Sequence, residues 1–341
     1  MFAGLSVIAN LAIFAAAGAV VWFAGTRLAR NADALASKTR IGHQFIGLAL
    51  LGGITSLPEL AVATTATLNG APMLAVNNVL GSASVNVLIL AAGDAFLGRR
   101  AITSVQGSAG VMLQGALGIA LLAMVASATV TGDVTILGMG IWTWLMLGAF
   151  LVSLRILAGS QAEGAWRVTN RHAGHQRREK QQAKRALSAY IGGTVTCGVA
   201  IVAAGYVLAQ SGQALAEQTG LGTSFFGAVV LALSTSLPEW STVIESIRLN
   251  RYDMAIGDVF GTNMFNVTIV VLIDALFPGE PVLEVAGRFS GFAALFGLML
   301  TALFLVGLIE RRDRTVLRMG VDSLCVVLAY IAGVAVLNGL R

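Results

Sequence analysis

Charge is scarce in this chain: Asp, Glu, Lys and Arg make up 11% of its 341 residues, against about 25% in an ordinary soluble protein. A water-soluble domain of this size needs far more polar surface, so the scarcity excludes one. Cysteine is scarcer still, with Cys197 and Cys325 alone in different hydrophobic segments. That spacing offers neither a disulfide nor a zinc site, and both thiols read as packing residues. Of the three histidines, His172 and His175 share one polar stretch and only His43 touches a hydrophobic segment. The apolar segments hold no HExxH pattern and no central histidine or cysteine nucleophile, which speaks against an intramembrane enzyme. Short alternating segments of about ten residues, the mark of a membrane β-barrel, are missing as well.

What is present is apolar sequence, with 56% of residues hydrophobic. Runs of about 20 such residues recur, each able to cross a hydrocarbon core about 30 Å thick. The runs near 6–26, 43–68, 72–97, 105–127, 134–157, 187–209, 222–248, 253–277, 288–309 and 316–338 predict ten spans. The fold class is therefore an all-α polytopic membrane protein. No Lys or Arg precedes the first run, and Arg27 and Arg30 follow it, so it does not read as a cleavable signal peptide.

Placing both termini outside puts 20 of the 22 Lys and Arg residues on the cytosolic side or its helix ends, all but Arg288 and Arg341. That asymmetry is the positive-inside pattern, in what reads as a cell (inner) membrane. It also accounts for the net charge of +5: the basic residues face the anionic lipid of the bilayer, not nucleic acid. The polar stretch 158–186 reads as a basic cytosolic linker between a first half, 1–157, and a second half, 187–341.

The word TSLPE stands at 55–59 and again at 235–239, an offset of 180 residues. The same offset pairs Gly81 with Gly261, Asn86 with Asn266, and Asp94-Ala95 with Asp274-Ala275. Each half carries five spans, an odd number, so the second half enters the membrane from the opposite side. The prediction is two inverted five-helix repeats, the architecture of alternating-access carriers, with the two words meeting near the midplane.

At that meeting point Pro58 has no N–H for the carbonyl of Ile54, and Pro238 none for that of Ser234. Glu59 and Glu239 sit in mid-span, where a carboxylate costs about 2.5 kcal/mol or more and marks an ion or proton path. Thr55 and Glu59, Ser82 and Asn86, Thr235 and Glu239, and Thr262 and Asn266 are each four residues apart, hence on one helical face. Ser56 and Ser236 add hydroxyls. The result is a cage of oxygens suited to a hard cation, Ca²⁺ above all, which two glutamates neutralise. The residues alone predict an alternating-access carrier of inorganic cations.

These motifs resemble those of the sodium/calcium exchanger family within the wider cation/calcium antiporters, whose repeats are similar to G-T-S-L-P-E followed by G-N-x-x-G-S-N-x-x-N. The likeness is close over roughly 50–96 and 230–276. It implies that Glu59 and Glu239 are the central acidic ligands and that Thr55 and Thr235 give backbone carbonyls. It further implies that Ser56, Ser82, Ser236 and Thr262 line sodium sites, and that Asn86 and Asn266 complete the central diamond. Departures occur at Ile54 and Ser234 for the leading Gly, at Asn77-Asn78 and Gly257-Asp258 for the G-N pair, and at Ala83 for the Asn of G-S-N. The implied activity is secondary active Ca²⁺/Na⁺ antiport, with no enzymatic role and no cofactor. Exchange of Ca²⁺ for H⁺, or K⁺-dependent exchange, is the alternative, and a cation channel the remote one. Asp258 reads as an extra acid near the cytosolic mouth, a helix-start cap, or a partner of Arg251. Asp94 and Asp274 read as caps at the interface, and Glu245 as a partner of Arg248.

Overall fold

In lipid a backbone must satisfy its own hydrogen bonds, and all ten apolar runs become helices. They are α1 (Val7–Thr39), α2 (His43–Leu68), α3 (Pro72–Asp94), α4 (Ala109–Thr131) and α5 (Ile141–Ala162), then α6 (Leu187–Thr219), α7 (Phe226–Thr235 followed by Leu237–Arg248), α8 (Tyr252–Leu276), α9 (Arg288–Glu310) and α10 (Val321–Gly339). The computed structural model describes residues 2, 4–39, 41–97, 101–105, 108–162, 186–219, 225–316 and 318–340. Most of the 158–186 stretch, with His172 and His175, lies outside them. Among the described residues nine helices are long and apolar enough to cross a membrane unaided, and α7, bent by 47°, makes the tenth.

The 180-residue offset governs whole halves, not only the motifs. Adding it to the first residue of α1, α3 or α5 gives the first residue of α6, α8 or α10. Two small hairpins obey it too: β1 (Thr135–Ile136) with β2 (Met139–Gly140), and β3 (Thr315–Val316) with β4 (Met319–Gly320). These hairpins occupy residues that the hydropathy assigned to the starts of two spans. The first turns through Leu137 and Gly138, both at positive φ (52° and 83°), the conformation a two-residue hairpin requires.

α1 and α6 are longer than their apolar runs, at 33 residues each. Hydropathy stops at the first charges, but the Ala- and Leu-rich sequence after Arg27 continues as good helix. At about 1.5 Å per residue such a helix exceeds the bilayer core and accommodates by tilting. The two pack on each other, α1 against the second part of α7 and α6 against the second part of α2.

Among the nine unbent spans α3 and α8 are the most buried. The first part of α2 packs on α8 and the first part of α7 on α3, so each half embraces the other's central helix. The approach is backbone to backbone: a Cβ on Gly81 of α3 would stand 2.1 Å from the carbonyl oxygen of Ala228, and one on Gly261 of α8 2.8 Å from that of Leu48. Asp94 accepts from the N–H of Ile102 and of Gly320, each at 2.6 Å. Asp274 accepts from the N–H of Val282 at 2.6 Å and of Gly140 at 2.7 Å. Each aspartate caps a short helix in its own half and holds the hairpin of the other. Cys197 is buried as expected, but Cys325 is exposed on the outward side of α10, so it does not pack in the core.

Candidate ion-binding site

Both TSLPE words interrupt their helices. In α2 the segment Gly52–Thr55 ends, the chain turns at Ser56, and helix resumes at Leu57; α7 repeats this at Thr235, Ser236 and Leu237. Pro58 and Pro238 therefore stand in the first turn of a new segment, where a missing N–H costs nothing. Glu59 and Glu239 share that turn, where the helix dipole favours negative charge. Just upstream, Ile46–Leu51 and Phe226–Leu231 wind as π-helix, a widening that recurs at functional sites.

All ten residues named from the sequence are at most 5% exposed, and two hydroxyl contacts among them cross between the halves. The hydroxyls of Thr55 and Thr262 lie 3.2 Å apart, and those of Thr235 and Ser82 3.5 Å apart. These two pairs are the same relationship seen from each repeat. Ser82 also donates to Oε1 of Glu59 at 3.4 Å. The hydroxyl of Thr55 lies beside the carboxylates of Glu239 and Asp258, and that of Thr235 beside Glu59. Glu239 is within electrostatic reach of Glu59.

The polar inventory here is underused. Oε2 of Glu59, both carboxylate oxygens of Glu239, Oδ1 of Asn86, both amide atoms of Asn266 and the hydroxyl of Ser236 are buried without a hydrogen-bond partner. Buried polar groups are ordinarily paired, and an unpaired buried carboxylate is the costliest exception. Ser56 donates instead to the Gly52 carbonyl at 2.7 Å, within its own helix. Asn86 donates to Asn263 at 3.0 Å, and Asn263 donates to the Ala83 carbonyl at 3.0 Å. Among the described residues no three His, Cys, Asp or Glu side chains are arranged to hold a metal ion. Any cation held here must also draw on hydroxyl, amide or backbone oxygens.

Two residues at the site escaped the sequence reading, and a third was read there only as one of three alternatives. Asn78 accepts from Thr235 at 3.5 Å, and Asn263 bridges to the first repeat. Asp258 is the third. Of the alternatives read for it, a partner of Arg251 falls away, because Arg251 binds Asp33 at 2.5 Å, and Asp258 is 0% exposed. It accepts from the Thr242 hydroxyl and is close enough to Glu239 for their charges to interact. Its offset partner is Asn78, at the G-N position of the motif. Glu245 does meet Arg248, at 3.9 Å, but its closer partner is Arg30 of α1, at 2.8 Å.

A family model described as sodium/calcium exchanger protein matches residues 9–166 and again 189–338, starts that are themselves 180 residues apart. The chain is similar to the putative antiporter CaxA of Alkalimonas amylolytica, at 27% identity over 89% of this chain and 92% of that protein. It is also similar to the inner membrane protein YrbG of Escherichia coli K12, at 27% identity over 76% and 78%. A shorter likeness, 27% over 40% of this chain and 39% of the relative, is to the sodium/calcium exchanger MaX1 of Methanosarcina acetivorans. Among solved structures the sodium-calcium exchanger NCX_Mj superposes with a TM-score of 0.71, at 16% identity, over 97% of this chain and 99% of that one.

Proposed function

The chain belongs to the sodium/calcium exchanger protein family, and from that premise we propose that it exchanges Ca²⁺ for Na⁺ across the membrane by alternating access. It is a cation antiporter, not an enzyme. The observation that carries the reading is the pair Glu59 and Glu239: one from each inverted repeat, both fully buried, with three of their four carboxylate oxygens unpartnered. Two carboxylates cancel one Ca²⁺, and Ca²⁺ accepts a mixed, flexible shell of oxygens where Mg²⁺ demands an octahedron. Thr55, Ser56, Ser82, Asn86, Thr235, Ser236, Thr262 and Asn266 supply the neutral oxygens around them.

The hydroxyl pairs Thr55 with Thr262 and Thr235 with Ser82 suit Na⁺, a hard ion without directional demands. Proton exchange is the second reading: Asn86 and Asn266 leave the two glutamates as the only carboxylates among these ten residues, and the same pair holds two protons as readily as two Na⁺. The distribution of Lys and Arg supports an orientation with both termini outside and the 158–186 linker in the cytosol. The name of the Escherichia coli relative favours an inner membrane.

Flux in reconstituted vesicles tests the reading. Uptake of ⁴⁵Ca²⁺ should require Na⁺ on the opposite side and stop when the Na⁺ gradient is removed. Uptake indifferent to Na⁺ but driven by a pH gradient would transfer the assignment to Ca²⁺/H⁺ exchange.

A further inference from the structure

We propose that Asp258 forms, with Glu239 and the Thr55 hydroxyl, a second cation site beside the central one, and that this site takes one monovalent alkali cation. The proposal rests on the antiport reading above and assigns a residue outside the ten named there.

The geometry comes first. Asp258 lies on α8 one turn before Thr262, fully buried, with Oδ2 accepting from Thr242 and Oδ1 unpartnered. Glu239, both of whose carboxylate oxygens are also unpartnered, is within its electrostatic reach, and the Thr55 hydroxyl lies beside both acids. Among the described residues no Lys, Arg or His forms an ion pair with Asp258, since Arg251 and His43 are both committed to Asp33.

Symmetry then separates fold from function. The residue 180 positions earlier is Asn78, equally buried at 0% exposed, and the counterpart of Thr242 is Val62. Packing at this position is therefore met in one half by a neutral amide that accepts from Thr235, with Val62 where the other half has Thr242. A carboxylate in the other half brings a desolvation cost of several kcal/mol that packing does not require. A cation offsets that cost, and the single side chain Asn78 cannot create the same site in the first half.

Charge fixes the class of ion. Glu59, Glu239 and Asp258 together carry three negative charges when ionised. One Ca²⁺ leaves one of them uncancelled, and a second Ca²⁺ overshoots. The neutral loadings are one Ca²⁺ with one monovalent cation, or three monovalent cations. Na⁺ and K⁺ share the required chemistry.

The test is ⁴⁵Ca²⁺ flux through full-length protein in vesicles, titrated with Na⁺ or with K⁺ as the only alkali cation, choline replacing the remainder. Asp258→Asn, which installs the residue the first half already accommodates, should lower the steepness of the monovalent dependence by one ion. Loss of steepness in the Na⁺ series identifies Na⁺ as the occupant, and loss in the K⁺ series identifies K⁺. Thr242→Val keeps the carboxylate and removes only its donor, so it should keep the steepness. Unchanged steepness in Asp258→Asn, or the same loss in Thr242→Val, would overturn the proposal in favour of a structural hydrogen bond. Glu59→Gln serves as the separate check: Ca²⁺ flux surviving in that variant defeats the antiport reading itself, whatever Asp258 does.

Discussion

Asp33, late in α1, accepts a hydrogen bond from Nε of Arg251 at 2.5 Å, across the connection between α7 and α8. His43 reaches the same oxygen at 3.1 Å, and Arg30 binds Glu245 at 2.8 Å. Together these ties fasten one end of the long α1 to the core. The residues 180 positions away carry no charge: Gln213 for Asp33, Ala71 for Arg251, Gln210 for Arg30 and Thr65 for Glu245. All four line a cavity of about 170 Å³ with Tyr206 and Leu231. Two halves that repeat in sequence thus differ at their ends, one closed by ion pairs and the other opened by a cavity. An alternating-access carrier needs such a difference in any one of its states.

Arg251→Gln should loosen the closed end. The side chain of Asp33 is 2% exposed, and removing one partner of a buried pair costs about 3–5 kcal/mol, with His43 holding the effect toward the lower figure. Hydrogen exchange should rise in the stretch 28–36 of α1 while the centre of α8 stays protected. Unaltered exchange in α1 would show that the pair does not fasten the helix.

Glu59→Gln and Glu239→Gln should each weaken Ca²⁺ binding by roughly 30-fold or more, since losing one buried charge partner costs about 2–5 kcal/mol. Folding should survive, because each change removes a buried charge that has few partners of its own. Calorimetry and a thermal melt in detergent separate the two effects. Wild-type affinity in either variant would remove that glutamate from the site.

Gly81→Ala should be the most damaging of three glycine substitutions. Its Cβ would meet Ala228 backbone atoms at 2.1 and 2.6 Å, whereas at Gly261 the Leu48 backbone stands at 2.8 Å. Overpacking of this kind costs about 1–3 kcal/mol or more, and backbone atoms cannot swing aside. Gly70→Ala meets nothing within 4 Å but holds φ at 78°, a strain of about 1–2 kcal/mol. Melting midpoints should fall in that order, and a Gly81→Ala protein as stable as wild type would contradict the close crossing of α3 and α7.

Most of this architecture was legible because lipid imposes period and length on the sequence, and because duplication repeats each signal. TSLPE was readable for the opposite reason: a proline and an acid contradict their surroundings. The full length of α1 and α6 was not legible, since hydropathy measures contact with lipid and not helix continuity beyond Arg27. The hairpins at Thr135 and Thr315 were hidden because two-residue strands leave almost no periodicity. The neighbours of Asp258 were not legible, because sequence gives its distance along one helix while Thr242 and Glu239 arrive from another.

Asn266 offers the last test, because it separates the number of carboxylates from their position. Its amide is 1% exposed with neither polar atom hydrogen-bonded, so Asn266→Asp changes charge while breaking no bond. In a medium that penalises uncompensated charge, a fourth carboxylate should call for one more monovalent ion per Ca²⁺, steepening the Na⁺ dependence of flux. Combining it with Asp258→Asn restores three carboxylates and should return the steepness to that of the wild type. If the double variant instead matches Asp258→Asn alone, the site beside Thr242 counts for its place on α8 and not for its charge. Flux measured across the four proteins at fixed membrane potential decides between them.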